Sequence, residues 1–192
     1  MRKSILFLLA LIFSSFCTTK EPIIINIQPL GKVSNEYIAH VKNSVKTFYG
    51  YNCKVLPTNP ITKQMLTKVT RRIDAKNALR TNKTFGNLLI LTESDICHYK
   101  DKSRPEYGIF GLGLRPGKTC IISTFRLKRG VGNEKALERL KKVALHEIGH
   151  NLGLKHCDND KRCMMNDARG TIKQVDYGNV WFCGKCKEQL KK

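Results

Sequence analysis

The run HEIGHNLGLKHCDNDKRCMM, from His146 to Met165, constrains this chain more than any other stretch. It holds three of the five histidines; only His40 and His98 lie elsewhere. Two histidines four residues apart on a helix stand one turn apart on one face, so both rings can reach one ion. With this content of His and Glu, a chance HExxH arises at roughly half a per cent, and the longer HExxHxxGxxH at roughly one in a hundred thousand. Composition does not explain the pattern.

The surrounding residues predict a helix that carries it. Asn133 suits a cap, Glu134 suits the first turn, and EKALERLKKVALHEIGHNL continues without a breaker. Ala136, Leu137, Leu140, Val143, Ala144 and Leu145 form its apolar stripe. Gly153 can end the helix in a left-handed turn, which brings His156 back as a third ligand beside His146 and His150. Three nitrogens and an open fourth position describe a catalytic zinc rather than a closed structural one. Such an ion lowers the pKa of water towards about 7 and polarises a carbonyl. Glu147, next to the first ligand, falls beside the ion, where it can take a proton from the attacking water and pass it to the departing amine.

Cysteines follow closely. Cys157 comes directly after the third histidine, Cys163-Met164-Met165 follows, and Cys183-Gly184-Lys185-Cys186 lies near the C-terminus. HEIGHNLGLKH resembles the signature of the metzincin clan of zinc peptidases, and the cysteine series resembles the archaemetzincin family. The resemblance covers His146 to Cys186. It implies a metzincin-like zincin of the α/β class, with a mixed twisted sheet, an active-site helix and a small zinc-stapled C-terminal segment. It implies a second, structural zinc on Cys157, Cys163, Cys183 and Cys186, hence two Zn2+ per chain. It also implies that Met165 lies in a turn beneath the catalytic zinc, and that substrate lies along an upper edge strand, for which Tyr107 to Leu114 is the candidate. In the family pattern four residues separate the first two cysteines; here Asp158 to Arg162 make five, an insertion that a polar loop should absorb.

Four thiolates around a tetrahedral ion make a closed site that contributes folding energy directly. Disulfides are the competing reading, because an exported chain meets an oxidising compartment. The match to a known ligand set favours zinc. A thioredoxin-like role for Cys183-x-x-Cys186 lacks the βαβ context. Cys53, Cys97 and Cys120 carry no motif, although Cys97 and Cys120 flank an expected hairpin and could pair.

Export is expected from the N-terminus. Arg2 and Lys3 precede the apolar run Ile5 to Phe13, too short to span a bilayer and followed by small or polar residues, so residues 1–19 read as a signal peptide. Cys17 is a candidate acylated residue and so a membrane tether, giving a secreted, periplasmic or lipoprotein location. Residues 20–192 then form one archaemetzincin-like peptidase domain, expected to be a monomer. The net charge of +20 attracts anions, but the basic residues are scattered lysines without an aromatic-rich stripe, so no specific nucleic acid is expected. Lys141, Lys142, Lys155 and Lys161 near the motif hint at acidic peptides.

The remaining elements alternate. Strands are expected at Ile23 to Leu30, Tyr51 to Pro57 and Asn87 to Ser94, and helices at Asn35 to Phe48, capped by Ser34, and near Asp74 to Thr81. YGIFGLGL and KTCIISTF are expected to form a hairpin across Arg115-Pro116-Gly117. The whole reads as a zinc metallopeptidase acting on peptide or protein substrates, aminopeptidase action included. The other reading is a noncatalytic exported zinc protein that binds peptides or nucleic acid. Tyr177 falls near the site without an assigned role.

Overall fold

The computed structural model describes residues 22–82 and 86–190. The expected signal peptide and Cys17 lie outside the described residues, among which no helix is long and apolar enough to cross a membrane.

β-Branched and leucine-rich runs build the sheet. In chain order the elements are β1 (Ile24–Leu30), α1 (Asn35–Tyr49), β2 (Asn52–Val55), a 3-10 turn (Lys63–Met65), β3 (Ile73–Asp74), α2 (Ala75–Thr81), β4 (Asn87–Thr92), β5 (Ile96–His98) and β6 (Tyr107–Ile109). They continue with β7 (Gly111–Gly113), β8 (Thr119–Ser123), α3 (Asn133–Asn151), α4 (Ile172–Tyr177) and α5 (Gly184–Leu190). Five strands run in the order β2-β1-β4-β8-β7, all parallel to their neighbours except β7, which is antiparallel to β8. The sheet is covered on both faces, which explains why its strands read as near-continuous apolar runs. Ile25, Ile27, Leu89, Leu91, Cys120 and Ile122 join one cluster with Val41 and Val45 of α1 and Leu140 and Ala144 of α3. The alternate residues Leu88, Ile90 and Ile121 join Ala75, Ala78 and Leu79 of α2 in a second.

Local signals set the helix ends. Ser34 Oγ accepts from the Glu36 N–H at 3.2 Å to start α1, and Asp74 Oδ1 accepts from the Asn77 N–H at 2.9 Å to start α2. Asn133 does not cap α3. Gly132 holds that position, and Asn133 Nδ2 instead donates to Glu36 Oε1 at 2.7 Å, tying α3 to α1. The expected hairpin is also only half right. YGIFGLGL splits at Phe110: β7 pairs with β8, but β6 pairs with β5 in a separate three-stranded sheet, β3-β5-β6. This small sheet, α4 and α5 were not expected from the sequence.

One buried cation fastens α4 to the active-site helix. Arg139 is 5% exposed, its Nη1 donates to the Leu127 carbonyl at 2.9 Å, and its Nε and Nη2 reach both carboxylate oxygens of Asp176 at 2.8 and 2.7 Å. Replacing Asp176 with Ala leaves that guanidinium without its counterion. The Asp176 side chain keeps 30% exposure, so the loss falls below that of a fully buried pair, at about 2–3 kcal/mol in urea unfolding.

Candidate active site

The long helix α3 presents His146 and His150 one turn apart. Gly153 follows with φ +97°, a conformation that favours glycine, and the chain reverses so that His156 faces them. The candidate ligand atoms of the three rings all lie within 4.8 Å of one another. His150 Nε2 and His156 Nε2 are 3.2 Å apart. Two nitrogens at tetrahedral zinc distance stand about 3.3 Å apart, so the rings fit the ion.

Backbone carbonyls aim two of the rings. His146 Nδ1 meets the Met164 carbonyl at 2.7 Å and His150 Nδ1 meets the Leu154 carbonyl at 2.8 Å. A carbonyl only accepts, so each Nδ1 carries the proton and each Nε2 keeps its lone pair for an ion. His156 Nδ1 lies 3.8 Å from Asp167 Oδ2. Burial, with His150 and His156 nearby, lowers the His146 pKa to about 3, and burial also lowers that of His150. Both stay neutral, as ligation requires.

Glu147 lies under β7 and lines the same cleft as the three imidazoles. It is 6% exposed, and burial pushes its carboxyl up to about 8, while the Gly113 backbone N–H works in the opposite direction. Space for it exists because the strand is Gly-Leu-Gly. A Cβ on Gly111 would stand 2.6 Å from Glu147 Oε1, and one on Gly113 would stand 2.6 Å from the Glu147 carbonyl and 3.0 Å from His150 Cβ. In β7 the Phe110 carbonyl accepts from Ser123 and the Leu114 N–H donates to Thr119. Hydrogen-bonding groups alternate along a strand, so those of Gly111 and Gly113 point away from β8, along the outer edge of the sheet.

Met165 is fully buried below the helix, where a Cβ on Gly149 would meet its Sδ at 2.5 Å. Met164 contributes its carbonyl to His146 rather than its sulfur. The two methionines therefore have different jobs.

Cys157, Cys163, Cys183 and Cys186 form a second buried cluster with sulfurs within 4.8 Å of one another. Cys157 and Cys183 are 3.5 Å apart, and Cys163 and Cys186 are 3.8 Å apart. A disulfide needs about 2.05 Å, whereas sulfurs on a tetrahedral zinc at about 2.3 Å stand about 3.8 Å apart. The cluster has the spacing of a zinc site, and all four thiols are free. Although burial works against it, hydrogen bonds from the Cys186 backbone and the neighbouring thiols draw Cys183 down to about 7. The extra residue between the first two cysteines is taken up by a turn at Asp160. Its Oδ1 accepts from the Arg162 N–H at 2.7 Å and its carbonyl from the Cys163 N–H at 3.1 Å. Cys97 and Cys120 do not pair: both are free, one in β5 and the other in β8, in different sheets.

A cleft of about 860 Å³ runs past the imidazoles, lined by β7, α3 and the segment after Met165. His98, Lys100, Arg115 and Asp167 line it too, none of them expected from the sequence. Tyr177 is exposed, with the Arg162 guanidinium 5.3 Å from its ring centre.

Comparison with known proteins agrees with this geometry. The sequence profile of peptidase family M54 matches residues 34–192. The archaemetzincin of Archaeoglobus fulgidus is 31% identical over 167 residues, covering 87% of this chain and 98% of the relative. That of Methanocaldococcus jannaschii is 32% identical over 170 residues, 85% and 90% of the two chains. The crystal structure of the A. fulgidus archaemetzincin complexed with malonate superposes with a TM-score of 0.77 at 30% identity, covering 87% of this chain and 99% of the other. Fold, ligand clusters and relatives together define a zinc metallopeptidase. The chain belongs to peptidase family M54, the archaemetzincins.

The buried carboxyl gives a signed expectation for the metal-free protein. A folded pKa of about 8 against 4.5 for an ordinary Glu means the fold is favoured by the protonated form. That contribution is complete below 4.5 and is lost as the pH rises to about 8. Metal-free E147Q is therefore more stable than the metal-free parent at pH 8, and the gap closes towards pH 4.5. Denaturant melts of both proteins across that range measure it.

Proposed function

We propose that this chain hydrolyses peptide bonds with His146, His150 and His156 holding a catalytic zinc and Glu147 acting as general base. Cys157, Cys163, Cys183 and Cys186 hold a second, structural zinc. The observation that carries the reading is the position of Glu147, one residue from the first imidazole, directly beneath Gly111 and Gly113 of β7, in the cleft the three imidazoles line.

The ion supplies Lewis acidity, acidifying water and polarising the scissile carbonyl. The protein does the rest. The outward N–H and C=O groups of Gly111 and the outward C=O of Gly113 can pair with an extended peptide backbone, which lays the scissile bond over Glu147. Burial makes the Glu147 carboxylate a stronger base than an ordinary one, while a cation at the imidazoles favours its ionised form. It takes the proton from water as the oxygen attacks the carbonyl carbon. The same carboxyl then delivers that proton to the amine as the C–N bond breaks, so Glu147 ends as it began. Peptide or protein is the substrate class, and removal of N-terminal residues is one form the activity can take. Export, whether as a secreted or periplasmic protein or as a lipoprotein tethered through Cys17, and a monomeric state rest on the sequence and belong to the same proposal.

Two measurements test it. Metal analysis of the purified chain gives two zincs, falling to one in C183A/C186A with a lowered Tm. E147Q keeps both zincs but loses peptide hydrolysis by at least about 10²-fold. Turnover retained in zinc-loaded E147Q overturns the role of Glu147, and one zinc in the parent overturns the cysteine site.

A further inference from the structure

The cleft carries more positive charge than its neighbours neutralise. Its lining includes Lys100, Arg115, Lys142 and Arg169, against only two carboxylates, Glu147 and Asp167. Both acids are already engaged: Glu147 lies buried under β7, and Asp167 faces His156 and accepts from the Arg169 backbone N–H at 2.8 Å. Lys142 is also spoken for, with its Nζ 2.7 Å from Glu138 and 3.1 Å from the Asp176 carbonyl. Among the described residues, no carboxylate lies within ion-pairing distance of the side chains of Lys100, Arg115 or Arg169.

These three cations sit at two places. Arg115 follows β7 and lines the cleft together with His150. At the other end Tyr107 gathers the remaining pair. Lys100 Nζ stands 4.5 Å from the centre of the Tyr107 ring, and the Tyr107 hydroxyl donates to the Arg169 carbonyl at 2.9 Å. The aromatic ring thus holds one ammonium at the rim and ties β6 to the loop that carries the other cation. Arg104 also approaches this ring, at 5.8 Å, but is paired with Asp101.

We propose that the cleft selects peptides bearing acidic side chains, with Arg115 reading one flank of the scissile bond and Lys100 with Arg169 reading the other. This rests on the peptidase reading above and names its substrate class. Two residues of extended chain span about 7 Å. A side chain about two residues from the bond over Glu147 therefore comes beside Arg115 when the peptide follows β7. Unpaired cations in a partly desolvated cleft attract carboxylates more strongly than the same groups on an open surface. The lysines that drew attention in the sequence are not the ones that act: Lys142 is paired, and Lys141, Lys155 and Lys161 lie outside the cleft lining.

The test uses the full zinc-loaded chain and matched fluorogenic peptides with Glu or Lys two residues to either side of the cleaved bond. The parent prefers the Glu peptides by about tenfold in kcat/KM at low salt, and the preference shrinks in 0.5 M salt. R115E reverses the preference at one flank and K100E at the other. Zinc content and Tm of each variant separate a lost fold from a lost contact. Equal cleavage of Glu and Lys peptides by the parent overturns the proposal, as does a preference that survives both substitutions. Binding of the same peptides to zinc-loaded E147Q, read by fluorescence anisotropy, makes the test independent of turnover. If the parent cleaves nothing, the peptidase reading fails alone. Stronger binding of Glu peptides, weakened by R115E, still supports the charge-selective cleft, and equal binding overturns it.

Discussion

Two hydrogen bonds from imidazole to backbone, His146 to the Met164 carbonyl and His150 to the Leu154 carbonyl, set the geometry on which the site depends. Both acceptors belong to the chain after the helix, so the helix presents two rings but the returning segment aims them. That segment must itself be rigid. The Cys157 N–H donates to the Met165 carbonyl at 2.8 Å, the Met164 N–H to the Trp181 carbonyl at 2.9 Å, and Asn166 Nδ2 to the Cys157 carbonyl at 2.8 Å. The cysteine cluster interleaves with the histidine cluster residue by residue: Cys157 follows His156, and Cys163 precedes Met164. An ion held on the four sulfurs would therefore stiffen the same few residues that orient the rings.

The opposite wall of the cleft imposes a different constraint. Glu147 lies against β7, yet a strand normally carries side chains on both faces. Gly-Leu-Gly removes them where they would collide with Glu147 and His150, and Leu112 turns its side chain to the second core cluster. The cost is a short, weakly anchored edge. Asn151 offsets it: as the last residue of α3, it donates through Nδ2 to the carbonyls of Leu114 and Thr119 at 2.9 and 2.8 Å, and its own carbonyl accepts from the Gly117 N–H. The helix that carries His146 and His150 thus also holds the tip of β7.

What the sequence made legible follows from where local chemistry dominates. The helix bearing His146 and His150, the break at Gly153 and the three sheet strands are written in periodicity and in single residues whose backbone needs are specific. β5 and β6 are three residues each and owe their pairing to tertiary context, so the run from Tyr107 to Leu114 reads as one strand although the chain divides it between two sheets. α4 and α5 span six and seven residues, too short to declare an amphipathic period, and they are held by Arg139 and by the cysteine cluster. The ligand residues stood out because rare side chains at fixed spacing are improbable by chance. Lys100 and Arg115 are common residue types without a motif, and only the folded chain shows that, among the described residues, no carboxylate pairs with them.

Asp167 and Arg169 show how these levels meet. Arg169 adopts φ +48°, uncommon for a residue with a side chain. The turn is held from both sides: Asp167 Oδ1 accepts the Arg169 N–H, and the Arg169 carbonyl accepts the Tyr107 hydroxyl. The same Asp167 carboxylate faces His156, the most exposed of the three imidazoles and one that no backbone carbonyl steers. A single acid therefore orders the loop that closes one end of the cleft and faces the third ring. The small sheet that delivers Tyr107 is thereby joined to the metal-binding segment by contacts to side chain and backbone, rather than by a continuous core.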